Sequence, residues 1–142
     1  MERDKMNLIH ELESEHLEII RLVREIKTVG IRTMAGRNIL SVAIEKLMTH
    51  LERENRLLYP EITRASDWDA ETITLVQNFK TESATIMDFA RSFLEKYTSG
   101  DSGFDFQTDF QILYASLMKR IEKEEQILYP VYLNRPAAKG SD

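Results

Sequence analysis

Cysteine is absent from this chain of 142 residues. Its absence excludes disulfide bonds, thiolate metal sites and cysteine nucleophiles. Any metal site must therefore be built from imidazole and oxygen ligands. Only three histidines, His10, His16 and His50, are available for it.

Long apolar runs and clusters of basic residues are also missing. With 42% apolar and 30% charged residues, the composition is that of a globular protein and is too polar for a membrane span. The first residues lead into no apolar segment of the signal-peptide type, so we expect a cytoplasmic protein without a membrane partner. The net charge is −5, and Lys and Arg are spread among Glu and Asp. This distribution predicts no nucleic-acid partner.

Proline and glycine are scarce, with three and five residues, and they fall between four long stretches of helical periodicity. No stretch alternates with period two. We predict an all-α fold, an antiparallel up-down-up-down four-helix bundle over residues 1–133, with residues 134–142 as a flexible tail. In each helix, the residues predicted to face the core form one line along it, which we call its seam. From the first helix to the fourth, the seams are Ile9, Leu12, His16, Ile19, Val23 and Ile26; Leu40, Ala43, Leu47, His50, Glu54 and Leu57; Val76, Phe79, Ser83, Ile86, Ala90, Phe93 and Tyr97; and Phe110, Leu113, Leu117, Arg120, Glu124 and Ile127.

The helix boundaries are predicted from the residues that interrupt this periodicity. Gly30 is expected to end the first helix, Pro60 the second and Pro130 the fourth. The turn at residues 64–67 offers N-caps for the third helix, and residues 98–103 form the longest polar break.

The second and fourth helices are near copies of each other. Residues 47–54 match residues 117–124, and the match continues to Pro60 and Pro130 at a constant offset of 70. This repeat predicts that one helix pair is used twice, with the two pairs related by a pseudo-twofold axis.

Each seam is apolar except near its middle, where polar residues stand. A polar group buried without a partner costs about 1–3 kcal/mol, so this layer must satisfy its own hydrogen bonds or hold a ligand. One such histidine alone is more simply a satisfied core residue, but the positions together favour descent from a metal site. The interrupting residues are His16; His50 with Glu54; Ser83; and Arg120 with Glu124.

Two further patterns are less informative. His10 lies off the seam of the first helix, so we expect it to face solvent. Glu13 and His16 form a Glu-x-x-His pair of the kind used by ferritin-like di-metal proteins. No second such pair occurs in the chain, so this interpretation is not favoured.

The sequence around His16, and the stretch from His50 and Glu54 to Leu57-Leu58-Tyr59-Pro60, resemble hemerythrin-type HHE domains over nearly the whole chain. The resemblance implies a helix bundle with a non-haem di-iron centre that serves oxygen binding, oxygen or redox sensing, or iron handling. It also implies that His16 and His50 bind one iron and that Glu54 is a shared carboxylate.

The resemblance fails in the second half of the site. Glu124 is present as the acidic ligand of the fourth helix, but Ser83 and Arg120 stand where the family has histidines. A guanidinium has no lone pair to give to a metal. We expect Arg120 to lie there as a fixed cation, hydrogen-bonded to Glu54 and Glu124.

Two states of this layer are therefore open. His16, His50, Glu54 and Glu124 form a two-histidine, two-carboxylate set suited to one iron, zinc or manganese ion. Alternatively, no metal is bound. Two carboxylates with Arg120 and one protonated histidine then have zero net charge, whereas a divalent ion gives +1, so charge favours the metal-free layer.

Three functions follow from these states. The first is a single-metal domain that senses iron, oxygen or redox state, with a metal ion as its ligand. The second is a metal-free regulatory module with a protein partner. An enzyme such as an oxidase or peroxidase ranks last, because di-iron oxidation needs two irons. We therefore expect no enzymatic activity.

Overall fold

The computed structural model describes residues 2–64, 70–98 and 105–134. These residues form four helical rods and no strand. The helices are α1, Glu2–Val29; α2, Met34–Arg53; α3, Tyr59–Arg64; α4, Ala70–Thr98; α5, Phe106–Lys123; and α6, Tyr129–Leu133. Two π-helical turns, π1 at Glu54–Leu58 and π2 at Glu124–Leu128, join α2 to α3 and α5 to α6. The four rods are therefore α1, α2 with π1 and α3, α4, and α5 with π2 and α6.

The rods pack as the predicted four-helix bundle. Helix α1 contacts α2 and α5, and α4 contacts the same two helices. Two apolar clusters fill the interior, one from Ile19 to the α1–α2 turn and one at the opposite end around Leu12 and Leu58. The polar residues of the four seams lie between these clusters. Among the described residues, no helix combines the length and the apolar character needed to cross a membrane.

The turn between α1 and α2 depends on two glycines. Gly30 has a positive φ of 78°, and its N–H donates to Ile26 O at 2.7 Å, so it ends α1 as predicted. Thr33 caps α2 by accepting a hydrogen bond from Gly36 N at 3.1 Å. A Cβ atom on Gly36 would lie 1.8 Å from Gly30 O, so only glycine allows this close approach.

The prediction that Pro60 and Pro130 end their helices is wrong. The N–H of Tyr59 donates to Glu54 O, five residues earlier, and Tyr129 repeats this bond with Glu124 O. Proline has no N–H and its ring collides with the carbonyl group four residues earlier in a regular α-helix. A wider π turn just before each proline relieves that conflict, and the helix continues.

The π turns also shift the buried seams by one residue. Leu57 and Ile127 were predicted to face the core, but they are 37% and 43% exposed. Leu58 and Leu128 are fully buried in their place. The other predicted seam residues are all buried.

Some predicted segments lie outside the described residues. These are residues 65–67 of the predicted capping turn, residues 99–103 of the polar break, and the tail beyond Asn134. Arg64, the first residue of that turn, belongs to α3.

Candidate metal centre

Four side chains from three rods meet in the middle of the bundle. They are His16 on α1, His50 on α2, Glu54 at the start of π1 and Glu124 at the start of π2, and each is at most 2% exposed. Each of the four residues offers one ligand atom, and these four atoms all lie within 4.8 Å of one another. The four residues singled out in the sequence are therefore neighbours in the fold, whereas His10 is exposed, as expected.

A carboxylate fixes the orientation of each histidine by accepting a hydrogen bond at Nδ1, on the side of the ring that faces away from the other ligand atoms. His16 donates from Nδ1 to Glu125 Oε2 at 2.8 Å, and His50 donates from Nδ1 to Glu15 Oε1 at 2.6 Å. Because a carboxylate only accepts, each Nδ1 carries a hydrogen, and Nε2 is the ring atom left to face inward, where it can bind a metal ion once it carries no proton. Metal-binding histidines are held in this way by carboxylates or carbonyl groups.

The inward-facing atoms form a cluster of acceptors. His16 Nε2 and His50 Nε2 are 3.0 Å apart, and Glu124 Oε1 lies 2.7 Å and 3.2 Å from them. Lone pairs this close require a cation or a proton between them. In the absence of an ion, burial would lower the pKa of His50, but hydrogen bonds to Glu124, Glu15 and Glu54 raise it to about 11.

The two central carboxylates have different environments. Burial, together with repulsion from Glu124, raises the pKa of Glu54 to about 7. Burial opposes ionisation of Glu124 as well, but hydrogen bonds from His16 and His50 and the charge of Arg120 hold its pKa well below the usual value. Glu54 Oε1 is buried without a hydrogen-bond partner. This oxygen lies 3.8 Å from Arg120 Nη2, whereas the other oxygen of the same carboxylate, Oε2, faces His50 Nε2 at 3.1 Å and is the one suited to a metal ion.

Arg120 occupies the other half of the layer, and it is 3% exposed. All five of its N–H groups donate, at 2.6–3.1 Å, and its guanidinium carbon lies 4.8 Å from the centre of the Phe79 ring. The acceptors are Glu124 Oε2, Phe79 O, Glu82 Oε1, Tyr59 OH and Ser83 Oγ.

Arg120 therefore lies in the core as a fixed cation, bonded to Glu124 as predicted. The predicted hydrogen bond to Glu54 is wrong, because Nη2 is 3.8 Å from Glu54 Oε1. Ser83 is fully buried and accepts from Arg120 Nη2 at 2.6 Å. A serine hydroxyl and a guanidinium are a poor ligand set for a second metal ion, because the guanidinium is positively charged and has no lone pair to give.

The two halves of the layer are related as the repeat predicts. Glu15 accepts hydrogen bonds from both His50 and Arg53. Glu82 likewise accepts hydrogen bonds from Arg120 and Lys123. These two donors follow His50 and Arg53 in the sequence by 70 positions. Arg120 thus stands in the second half where His50 stands in the first.

Three outer carboxylates, Glu15, Glu82 and Glu125, add to the charges that the sequence predicts for this layer. The charge of Glu15 is offset by Arg53, which also pairs with the exposed Glu11, and that of Glu82 by Lys123. Glu125, whose side chain is 39% exposed, adds a negative charge beside His16. This charge is partly screened by water, but it offsets the +1 of the metal-bound layer, so charge no longer favours the metal-free state.

Several contact residues were not identified from the sequence. Two features of the sequence point to some of them. Glu15 and Glu125 are each adjacent in the chain to a candidate ligand, and Tyr59 and Tyr129 occupy equivalent positions of the repeat. Glu82, which holds Arg120, adjoins Ser83 in the same way. Neither signal tells which side chain these residues contact on a neighbouring helix.

Comparison with known proteins agrees with this geometry. The family model of the hemerythrin HHE cation binding domain matches residues 7–132, which include all four central residues. No curated protein and no solved structure matches the chain. Because the model covers most of the sequence, the chain belongs to the hemerythrin HHE cation binding family.

Proposed function

We propose that this member of the hemerythrin HHE family binds one divalent ion through His16, His50, Glu54 and Glu124. The observation that carries the proposal is the pair of Nε2 atoms, 3.0 Å apart, both within 3.2 Å of Glu124 Oε1. Outer carboxylates fix both histidines in the tautomer that a metal needs. Two imidazoles and two carboxylates suit iron, zinc or manganese, and we favour iron because of the family.

The proposal limits the site to one ion. Arg120 supplies the second positive charge of the layer through five hydrogen bonds, and it cannot exchange with a metal. Reversible oxygen carriage and oxidation of the family type use two irons that share electrons. A single ion supports binding and sensing instead, so we infer a domain that responds to iron, oxygen or redox state and that is not an enzyme.

The metal-free regulatory module is the second candidate. It is favoured by the high pKa of His50, which lets a proton take the place of the ion between the acceptors. In that state the protein would act through its surface on a protein partner. The two candidates differ in whether the purified protein contains metal.

Elemental analysis of protein purified without chelators or affinity-column metal tests the proposal. We expect close to one ion per chain in the wild type and none in His50→Ala. In the same samples, hydrogen exchange of α5 and π2 should slow when the ion is present, because Glu124 would then be held by it. A wild-type protein that stays free of metal after incubation with iron(II), zinc(II) and manganese(II) would refute the single-metal domain and leave the metal-free module.

A further inference from the structure

The phenolic oxygen of Tyr129 lies inside the central cluster. The side chain is 1% exposed, and π2 places it there, because a π turn brings residues five positions apart to the same face. The oxygen is 2.8 Å from Glu54 Oε2, 3.0 Å from Glu124 Oε1 and 3.3 Å from His16 Nε2. All three are proposed ligand atoms, so the tyrosine oxygen adjoins any ion that they hold.

Four of the inward-facing atoms form a closed ring. The distance from His16 Nε2 to His50 Nε2 is 3.0 Å, and that from His50 Nε2 to Glu54 Oε2 is 3.1 Å. The ring continues from Glu54 Oε2 to the Tyr129 oxygen at 2.8 Å and closes on His16 Nε2 at 3.3 Å. Glu124 Oε1 is 2.7–3.2 Å from three members of this ring.

These spacings are those of atoms that share one metal ion. Ligand atoms bound at about 2.0–2.2 Å and at right angles to each other lie about 3 Å apart. The tyrosine oxygen has this spacing from its neighbours as fully as the nitrogen and carboxylate atoms do. Nothing in the distances sets it apart from the other four donor atoms.

A role as hydrogen-bond donor alone accounts less well for this position. A phenol has one hydrogen, but the Tyr129 oxygen lies against two carboxylate oxygens and, when His16 Nε2 carries no proton, against a nitrogen lone pair. Its hydrogen can serve one of them well, and the others remain in close contact with an oxygen lone pair. A positive ion would stabilise all of these contacts at once.

The second half of the layer gives an independent argument. Tyr59, the counterpart of Tyr129 in the repeat, places its oxygen 2.8 Å from Arg120 Nη2. There it lies with Ser83 Oγ and Glu124 Oε2 around a cation. By the pseudo-twofold relation, Tyr129 occupies the matching place beside the cation of the first half.

We propose that Tyr129 is a fifth ligand of the bound ion, through its phenolate oxygen. When the ion binds, the O–H bond breaks, the oxygen bonds the ion, and the proton leaves to bulk water. A bound cation favours the phenolate form, because it offsets the negative charge that the oxygen gains when the proton leaves. The inference rests on the proposed single-metal site and adds a ligand class to it.

Iron(III) is the probe that tests this ligand, because iron(III) phenolate bonds absorb visible light strongly. The protein is loaded with iron(II), oxidised with ferricyanide and freed of excess reagent. Iron content, the visible spectrum and the resonance Raman spectrum are then measured. The variant is Tyr129→Phe, and its matched control is Tyr59→Phe at the equivalent position of the repeat, with circular dichroism to confirm folding.

We expect one iron per chain and a visible charge-transfer band in the wild type and in Tyr59→Phe. Tyr129→Phe should still bind iron through the other four ligands but lose the band. The Raman bands excited in the wild type should shift when the tyrosine rings are deuterated, a readout that holds even if the variant fails to fold. Bound iron without the band, or a band that survives in folded Tyr129→Phe, would overturn the tyrosine ligand and leave the single-metal site standing. Failure of the wild type to bind iron would overturn both.

Discussion

Replacing Arg120 by methionine tests the idea that a side chain has taken the place of a metal ion. Methionine is shorter and uncharged, so it removes five hydrogen bonds and keeps only the packing of the apolar stem. Glu124 loses the 2.7 Å bond to its Oε2, and it then faces Glu54 in the core without the guanidinium that lay beside both carboxylates. Phe79 O loses its side-chain donor as well.

The expected loss of stability is large. Breaking a buried ion pair from one side costs about 3–5 kcal/mol. A domain has only about 5–15 kcal/mol of unfolding free energy in total, so the variant loses a substantial share of it. For a chain of this size, the loss corresponds to a fall in Tm of roughly 10–20 °C.

Urea unfolding of the chelator-treated protein, followed by circular dichroism, measures this loss without a contribution from bound metal. Arg21→Met is the matched control, because Arg21 is a 63% exposed arginine with only long ion pairs on its own helix. It should change the unfolding free energy by less than about 0.5 kcal/mol. Adding Glu124→Gln to Arg120→Met should restore part of the loss, since one of the two facing charges is then removed. If Arg120→Met destabilises the protein no more than Arg21→Met does, the cation-substitution account is refuted.

Three further predictions concern the site and the turn. His50→Ala should abolish binding of a divalent ion, and His10→Ala should leave it intact, as measured by calorimetric titration. Equal loss of binding in both variants would mean that His10 also faces the site. Combining Ser83→His with Arg120→His restores the two histidines that the family has at these positions, so the double variant should bind two irons per chain by elemental analysis. A value that stays at one iron would show that residues other than Ser83 and Arg120 also prevent binding of a second ion. Gly36→Ala should lower the unfolding free energy by about 1–3 kcal/mol in a urea titration, because its Cβ would overlap a carbonyl oxygen at the end of α1. An unchanged midpoint there would mean that the turn opens freely.

Most of the fold could be predicted from the sequence, because apolar periodicity determines which face of each helix is buried. The prediction failed at Leu57 and Ile127, where a π turn adds one residue to the helical repeat. Periodicity at 3.6 residues per turn cannot show such a shift, since the change lies in the backbone hydrogen bonds. Pro60 and Pro130 lie at both places. We predicted that they end their helices, but the helix widens into a π turn before each proline and continues.

The central residues of the site could also be predicted, since a histidine or carboxylate on a buried seam needs an explanation. The outer residues could not. Glu15 and Glu125 are partly exposed and look like ordinary surface carboxylates, and only the packing of α1 against its neighbours shows which histidine each one contacts. Tyr129 looks like an ordinary core aromatic until the π turn places its oxygen beside the carboxylates.

The number of ions that each chain binds decides whether Arg120 replaces a second metal ion. Native mass spectrometry of the wild type, titrated with iron(II) under anaerobic conditions, counts them without a spectroscopic assumption. We expect saturation at one ion per chain and, after oxidation in air, no absorption bands of an oxo-bridged di-iron centre. Saturation at two ions with such bands would contradict the replacement of the second ion by Arg120, and no binding at all would contradict the metal site itself.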